Sequence, residues 1–358
     1  MSEEIIARIE APRGTTELYG HEGATEALAD AWSGGRFAHA WLISGPAGIG
    51  KATLAWRFAR FVLADERNAG ESALAVAPGD RAARQVLVGS HPDVRLVRRD
   101  YAKDSPYAFR TEITVNNIRA LGPFLRQTAA LGGWRAIIVD AADDMNLNAQ
   151  NALLKLLEEP PARTVFLLVC HAPARLLPTI RSRCRALALR PLDETVLLPL
   201  LGRLLPGIVA DETVTLARLA EGSPGRALDL AEAGGVALFR DLIDLLQPLP
   251  DLDAVRLHAI TDRFGPASGE GAYRTFTDLL TWWLGRTIRA AATRIGSAGE
   301  AVPGEGELQQ RLMRGGVAPW LEVWDNIARQ IERANAVNLD RKQVVLNAFF
   351  GLADAARR

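Results

Sequence analysis

The stretch AWLISGPAGIGKAT, residues 40–53, decides the fold. An apolar run leads into glycines at 45, 48 and 50, and Lys51 then opens an amphipathic segment. That order, strand then glycine loop then helix, is the context a phosphate-binding P-loop requires. Without a Cβ, the glycines let backbone amides turn toward a phosphate, and Lys51 is placed to sit over its β- and γ-groups. The pattern G-x-x-x-x-G-K-[ST] fails only at its last step, where Ala52 replaces the hydroxyl that would hold a magnesium ion. Thr53 carries a hydroxyl, but one residue along a helix is about 100° of rotation away, so it does not simply substitute. Magnesium coordination is therefore in doubt.

The partner of such a loop is an apolar strand ending in an acid, and AIIVDAADDM (136–145) supplies Asp140. Where working ATPases of this class usually place a water-activating glutamate, the chain has Ala141. Asp143 and Asp144 lie past the strand end and read as solvated loop acids or helix-starting residues. With the metal hydroxyl and the base both missing, no intrinsic hydrolysis is expected. Positioned acid–base groups alone give about 10² to 10⁴ in rate. Whether the loop binds ATP without turning it over stays open.

Outward from these motifs the first half alternates short apolar runs with amphipathic stretches, as in a parallel sheet flanked by helices. Candidate strands are 40–44, 93–97, 135–140, 164–170 and 185–190. After the glycine loop, Leu54, Phe58, Phe61 and Val62 form an apolar stripe that should pack on the sheet. Residues 65–90 have a weak pattern and read as a loop with short helical pieces. The second half reads as almost wholly helical. One boundary follows RPLDETVLLPLL, and a second lies at QPLPDLD (247–253), where prolines end a helix. GSAGEAVPGEGE (296–307) has a loop composition.

At 358 residues the chain should hold two or three domains. Lysine plus arginine and aspartate plus glutamate each number 42, so no global basic field draws it to nucleic acid. No apolar run approaches a bilayer span, and the acidic start MSEEIIARIE suggests no signal peptide. Two cysteines, Cys170 and Cys184, without C-x-x-C spacing fit a reducing cytoplasm and no structural zinc.

The segments GRFAHAWLISGPAGIGK (35–51), NALLKLLEEPP (151–161), LLPTIRSRC (176–184) and EGSPGRAL (221–228) resemble the clamp-loader branch of the AAA+ ATPases. The resemblance spans most of residues 20–230, with a weaker echo in NLDRKQVVLNAFF (338–350). It implies an AAA+ α/β P-loop domain over 1–192, a helical lid over 193–246 and an all-helical collar over 247–358 that joins subunits into a ring. It also implies gamma- or tau-type ATPase subunits and a delta-type subunit as partners, with the sliding clamp and primed DNA reached through the assembly.

Residue by residue, the resemblance makes Arg183 an arginine finger for the ATP site of an adjacent subunit; taken alone it would be a surface arginine beside a helix end. Arg226 matches a second sensor that touches the γ-phosphate in its own chain; its plain reading is a helix-surface charge. Cys170 and His171 stand where active members commonly carry threonines, so the first sensor is poorly kept. The four-cysteine zinc knuckle of many bacterial relatives is missing, since residues 52–92 contain no cysteine.

The physical reading stands beside this. Ala149, Ala152, Leu153, Leu156 and Leu157 make one apolar helix face ended by Pro160 and Pro161, while Lys155, Glu158 and Glu159 point to a fellow helix or a neighbouring subunit. Phe276, Leu279, Leu280, Trp283, Leu284 and Ile288 recur at helical spacing as core, leaving Trp282 and some of the tryptophans of PWLEVW as candidate oligomer contacts.

A noncatalytic loader subunit is the favoured reading. Two others stand against it. One is a gamma- or tau-like motor with its own turnover, using Thr53 or water for the metal. The other is a DNA-tethering module built on Arg95, Arg98 and Arg99, which the zero net charge disfavours.

Overall fold

The computed structural model describes residues 12–35, 37–67, 73–102, 105–265, 269–293, 299–337 and 339–358. The acidic start and part of the 296–307 loop lie outside the described residues. The chain divides into two compact units, 1–196 and 197–358.

In the first unit five strands form one parallel sheet in the order β2-β5-β6-β1-β7. They are β1 (Ala40–Ser44), β2 (Val94–Val97), β5 (Arg135–Asp140), β6 (Thr164–Cys170) and β7 (Arg185–Ala188). A short hairpin, β3 (Tyr101–Ala102) with β4 (Ser105–Phe109), stands apart from the sheet. The central strands β5 and β6 are apolar almost throughout because helices cover both faces of the sheet.

Alternate residues go to opposite faces. Trp41, Ile43, Ile138 and Leu167 pack in one cluster with Leu54, Phe58 and Val62 of α2 (Lys51–Leu63) and Leu28 of α1 (Glu22–Ser33). Leu42, Ile137, Phe166 and Leu168 pack in a second with Leu153 and Leu157 of α6 (Leu147–Glu158) and Ile180 of α7 (Pro178–Arg183). The five expected apolar positions of α6 all face this core: Ala149, Leu153 and Leu157 are buried, and Ala152 and Leu156 pack against them partly exposed.

The weakly patterned 65–90 stretch contains α3 (Arg81–Val88), capped by Asp80, whose carboxylate accepts from the Ala83 amide at 2.7 Å. The second expected strand begins one residue late. Asp93 is an anchor, buried and accepting from the amides of Ala130 (2.7 Å) and Leu131 (3.0 Å). Between β2 and β5 lie α4 (Val115–Arg119) and α5 (Leu121–Arg126).

The second unit is helical, from α8 (Glu194–Leu204), which straddles the division, to α16 (Arg341–Arg357). In order it adds α9 (Ala210–Ala220), α10 (Pro224–Glu232), α11 (Gly235–Leu246), α12 (Ala254–Asp262), α13 (Glu270–Thr293), α14 (Glu305–Leu312) and α15 (Ala318–Val337). All six predicted apolar positions of α13 are buried. Trp283 among them donates its indole N–H to Glu305 at 3.1 Å, and Glu305 also accepts from the Ala301 amide at 2.7 Å. These bonds satisfy a carboxylate that is 1% exposed, which the interior requires.

Of the candidate contact tryptophans, Trp320 is buried in the core. Trp282 and Trp324 instead line a groove of about 620 Å³ together with Arg226, Asp278 and Arg289.

Leu153→Ala should destabilise the first unit by about 2–5 kcal/mol, the usual cost of emptying a packed leucine site. Leu147→Ala, on the same helix but 60% exposed, should stay within about 0.5 kcal/mol. Urea unfolding of the two variants beside the parent checks this.

Candidate functional site

Parallel pairing brings Ser44 opposite Cys170 and Asp140 opposite Val169, so β1, β5 and β6 end at one edge of the sheet. The glycine loop leaves from that edge. Gly45, Gly48 and Gly50 have φ of 144°, 74° and 105°, backbone that L side chains rarely adopt. At Gly45 a Cβ would also lie 2.6 Å from the Leu189 carbonyl oxygen. Gly50 ends the loop, and α2 begins at Lys51 with no side-chain cap on its amides.

Lys51 is 3% exposed, and its ammonium is turned onto the loop itself. It donates to the carbonyl oxygens of Gly45, at 2.7 Å, and Pro46. Burial lowers its pKa to about 8, against the pull of Asp140, Asp143 and Cys170. Asp140, at the end of β5, is shifted the other way. Scarce water raises its pKa to about 6, although the Lys51 charge opposes the shift. Ala52 and Thr53 are both half-buried on the first turn of α2.

Asp143 differs from the expectation. It is buried, and its two oxygens accept from the amides of His171 (2.9 Å) and Ala172 (3.0 Å), just beyond β6. Burial works to raise its pKa, but these bonds outweigh it and hold the carboxyl below its ordinary value. The carboxylate is thus a clip between the ends of β5 and β6 rather than a solvated acid. Asp144 pairs with Arg99 at 3.1 Å. Cys170 is fully buried beside Asp143, and burial pushes its thiol up to about 12, so it stays protonated.

Two contributors escaped the sequence. His21 is buried ahead of α1, with Nε2 2.6 Å from the Ile49 carbonyl oxygen. A carbonyl only accepts, so that nitrogen carries the proton and ties the loop to the entry of the domain. Gln150 is buried on α6, where its amide donates to the carbonyls of Met145 and Arg175 and accepts from the Leu177 amide. It fixes the approach to α7. A lone histidine or an interior glutamine carries no periodic signal that would mark it.

Arg183, the last residue of α7, is partly exposed at 36%. It meets Glu158, the last residue of α6, at 2.8 Å and donates to the Thr179 carbonyl at 3.1 Å. Arg226, on α10 in the second unit, lies over the Trp282 ring at 5.2 Å and 3.9 Å from Glu221. The arginines of the tethering alternative are engaged within the chain. Arg95 lies over Phe124, Arg98 over Tyr101 and Phe109, and Arg99 reaches Asp144.

A family model described as DNA polymerase III, delta subunit, matches residues 20–193. The DNA polymerase III delta-prime subunit of Pseudomonas aeruginosa is 42% identical over 198 residues, 54% of this chain and 57% of that protein. Over this region the chain is similar to DNA polymerase III delta-prime subunits. The Escherichia coli delta-prime subunit is 34% identical over 205 residues, 57% of this chain and 58% of that one. The matched region thus spans a little over half the length of these delta-prime relatives. A gamma/tau subunit of DNA polymerase III from Mycobacterium tuberculosis is 30% identical over 271 residues, 66% of this chain and 43% of that protein.

Solved structures similar to the chain include a gamma-subunit-related protein of Thermotoga maritima, with a TM-score of 0.41, 18% identity and coverage of 93% of this chain and 100% of that one. The RuvB Holliday junction branch migration motor of the same organism has a TM-score of 0.40 and 16% identity, covering 84% of this chain and 90% of that one. Among the described residues no helix is long and apolar enough to cross a membrane.

The shifted carboxyls of Asp140 and Asp143 give separate pH windows. Asp140 binds its proton more tightly folded than unfolded, so stability should rise as pH falls from above 6 toward 4. Asp143 does the reverse, and its stabilisation should be lost as pH falls through its depressed value below 3.8. Asp140→Asn should abolish the first effect and keep the second, as read by urea unfolding at a series of pH values.

Proposed function

We propose that this chain serves as a noncatalytic subunit of a DNA polymerase III clamp loader. In this reading it sits beside gamma- or tau-type ATPase subunits and a delta-type subunit in the cytoplasm. It helps place the sliding clamp on primed DNA and contributes Arg183 to a neighbour's ATP site. The observation that carries the reading is the loop centre itself. Lys51 and Asp140 are present, but Ala52 and Ala141 occupy the positions from which a metal would be held and a water activated.

The residues fit a nucleotide's phosphates better than they fit hydrolysis. Gly45, Gly48 and Gly50 supply the turned backbone, Lys51 the cation, and Thr53 the nearest hydroxyl on α2. A bound triphosphate would supply negative charge and contacts to the loop. To meet it, Lys51 would exchange the Gly45 and Pro46 carbonyls for phosphate oxygens, an exchange that weakens binding by the value of the bonds given up. Asp140 stays with Lys51 as its counter-charge.

Arg183 has the properties that a residue acting in trans needs. It is partly exposed, permanently charged and set at the end of a helix packed on the sheet domain. A guanidinium added to a phosphoryl-transfer site is worth about 10³ to 10⁵ in rate.

Arg183→Ala in a loader reconstituted with its gamma- or tau-type and delta-type partners should therefore lower DNA-stimulated ATP turnover, the neighbouring site losing about 10³-fold or more. Clamp loading should fall with it. Unchanged turnover and loading would overturn the finger assignment.

A further inference from the structure

The carboxylate facing Arg183 has no role in the reading above, and its placement is unusual. Glu158 closes α6, where the helix dipole makes a negative charge unfavourable. Nothing in the packing requires an acid there, since the core contacts of this turn come from Leu153 and Leu157. Glu158 nevertheless meets the Arg183 guanidinium at 2.8 Å across two helices that pack together, while the opposite nitrogen of the guanidinium donates to the Thr179 carbonyl.

Both backbones are fixed before any neighbour arrives. α6 is seated by Leu153 and Leu157, and α7 by Ile180 in the same core. Gln150 adds hydrogen bonds that join α6 to the segment leading into α7. The one mobile part left is the arginine side chain, which has the largest rotamer freedom of any residue type in the pair. Two acceptors on one rigid frame restrict it.

We propose that Glu158 is a positioning residue for Arg183, holding the guanidinium in one presented conformation so that less side-chain freedom is lost when it meets a phosphate in trans. The inference rests on the proposed role of Arg183. A finger that must reach a transition state within a fraction of an ångström benefits from such restriction, because a misplacement of about 1 Å can cost up to about 10²-fold in rate. The pair is partly exposed, at 36% and 43%, so removing the acid leaves no buried unpaired charge and the domain should fold normally.

The test uses the reconstituted loader with Glu158→Ala, Glu158→Asp, Arg183→Ala and the Glu158→Ala/Arg183→Ala double variant, measuring kcat and KM for ATP with primed DNA and clamp. Glu158→Ala should lower kcat severalfold with KM for ATP unchanged, because the neighbour's ground-state binding is untouched. Glu158→Asp should recover part of the loss, and the double variant should match Arg183→Ala alone. A melting temperature equal to the parent's would separate positioning from folding. Full kcat in Glu158→Ala, with Arg183→Ala impaired, would overturn this inference and leave the finger standing. A rise in kcat would overturn it too, since Glu158 would then be restraining the arginine. An unimpaired Arg183→Ala would overturn the finger and this inference together.

Discussion

Parallel pairing of β5, β6 and β1 is the constraint on which the rest depends. Because all three strands run the same way, their C-terminal ends share one edge, and the loops that follow meet there. The glycine loop departs from Ser44 at the end of β1, Asp140 ends β5 on the other side of β6, and Asp143 crosses to clip the chain after Cys170. A slip of one residue would turn every inward side chain of these strands to the opposite face. Two separate hydrophobic clusters, one on each face, hold the register against that slip.

Within this frame the electrostatics are those of a pair kept out of water. Lys51 is pulled down and Asp140 pushed up by the same scarcity of solvent, and each moderates the shift of the other. In the proposed reading Lys51 and Asp140 are the charge partners of a phosphate site, and Ala52 and Ala141 put methyls where a metal ligand and a base would stand. The lysine satisfies itself on the loop carbonyls.

Much of this was legible in the sequence where burial is two-sided. β1, β5 and β6 coincide with the expected runs residue for residue, since strands covered on both faces read as unbroken apolar stretches. The α6 face and the α13 stripe followed from the helical period. What was not legible depends on partners distant in the chain. Asp143 finds its amides 28 and 29 positions away, and His21 reaches a carbonyl 28 positions on, so neither role leaves a local pattern. Which tryptophan of PWLEVW is core leaves no local pattern either: the core around Trp320 is built by tertiary packing, and the helical stripe of α13 says nothing about it. Glu158 and Arg183 were each visible as charges, but only the contact of α6 with α7 pairs them.

A loop with Lys51 and Asp140 but without a metal hydroxyl or a base should not turn over ATP. The most direct measurement is magnesium-dependent ATP hydrolysis by the purified chain alone, with Lys51→Ala prepared in parallel as the contamination control. The rate should equal that of the control. Turnover clearly above it would make this chain a motor subunit that holds its metal by another route.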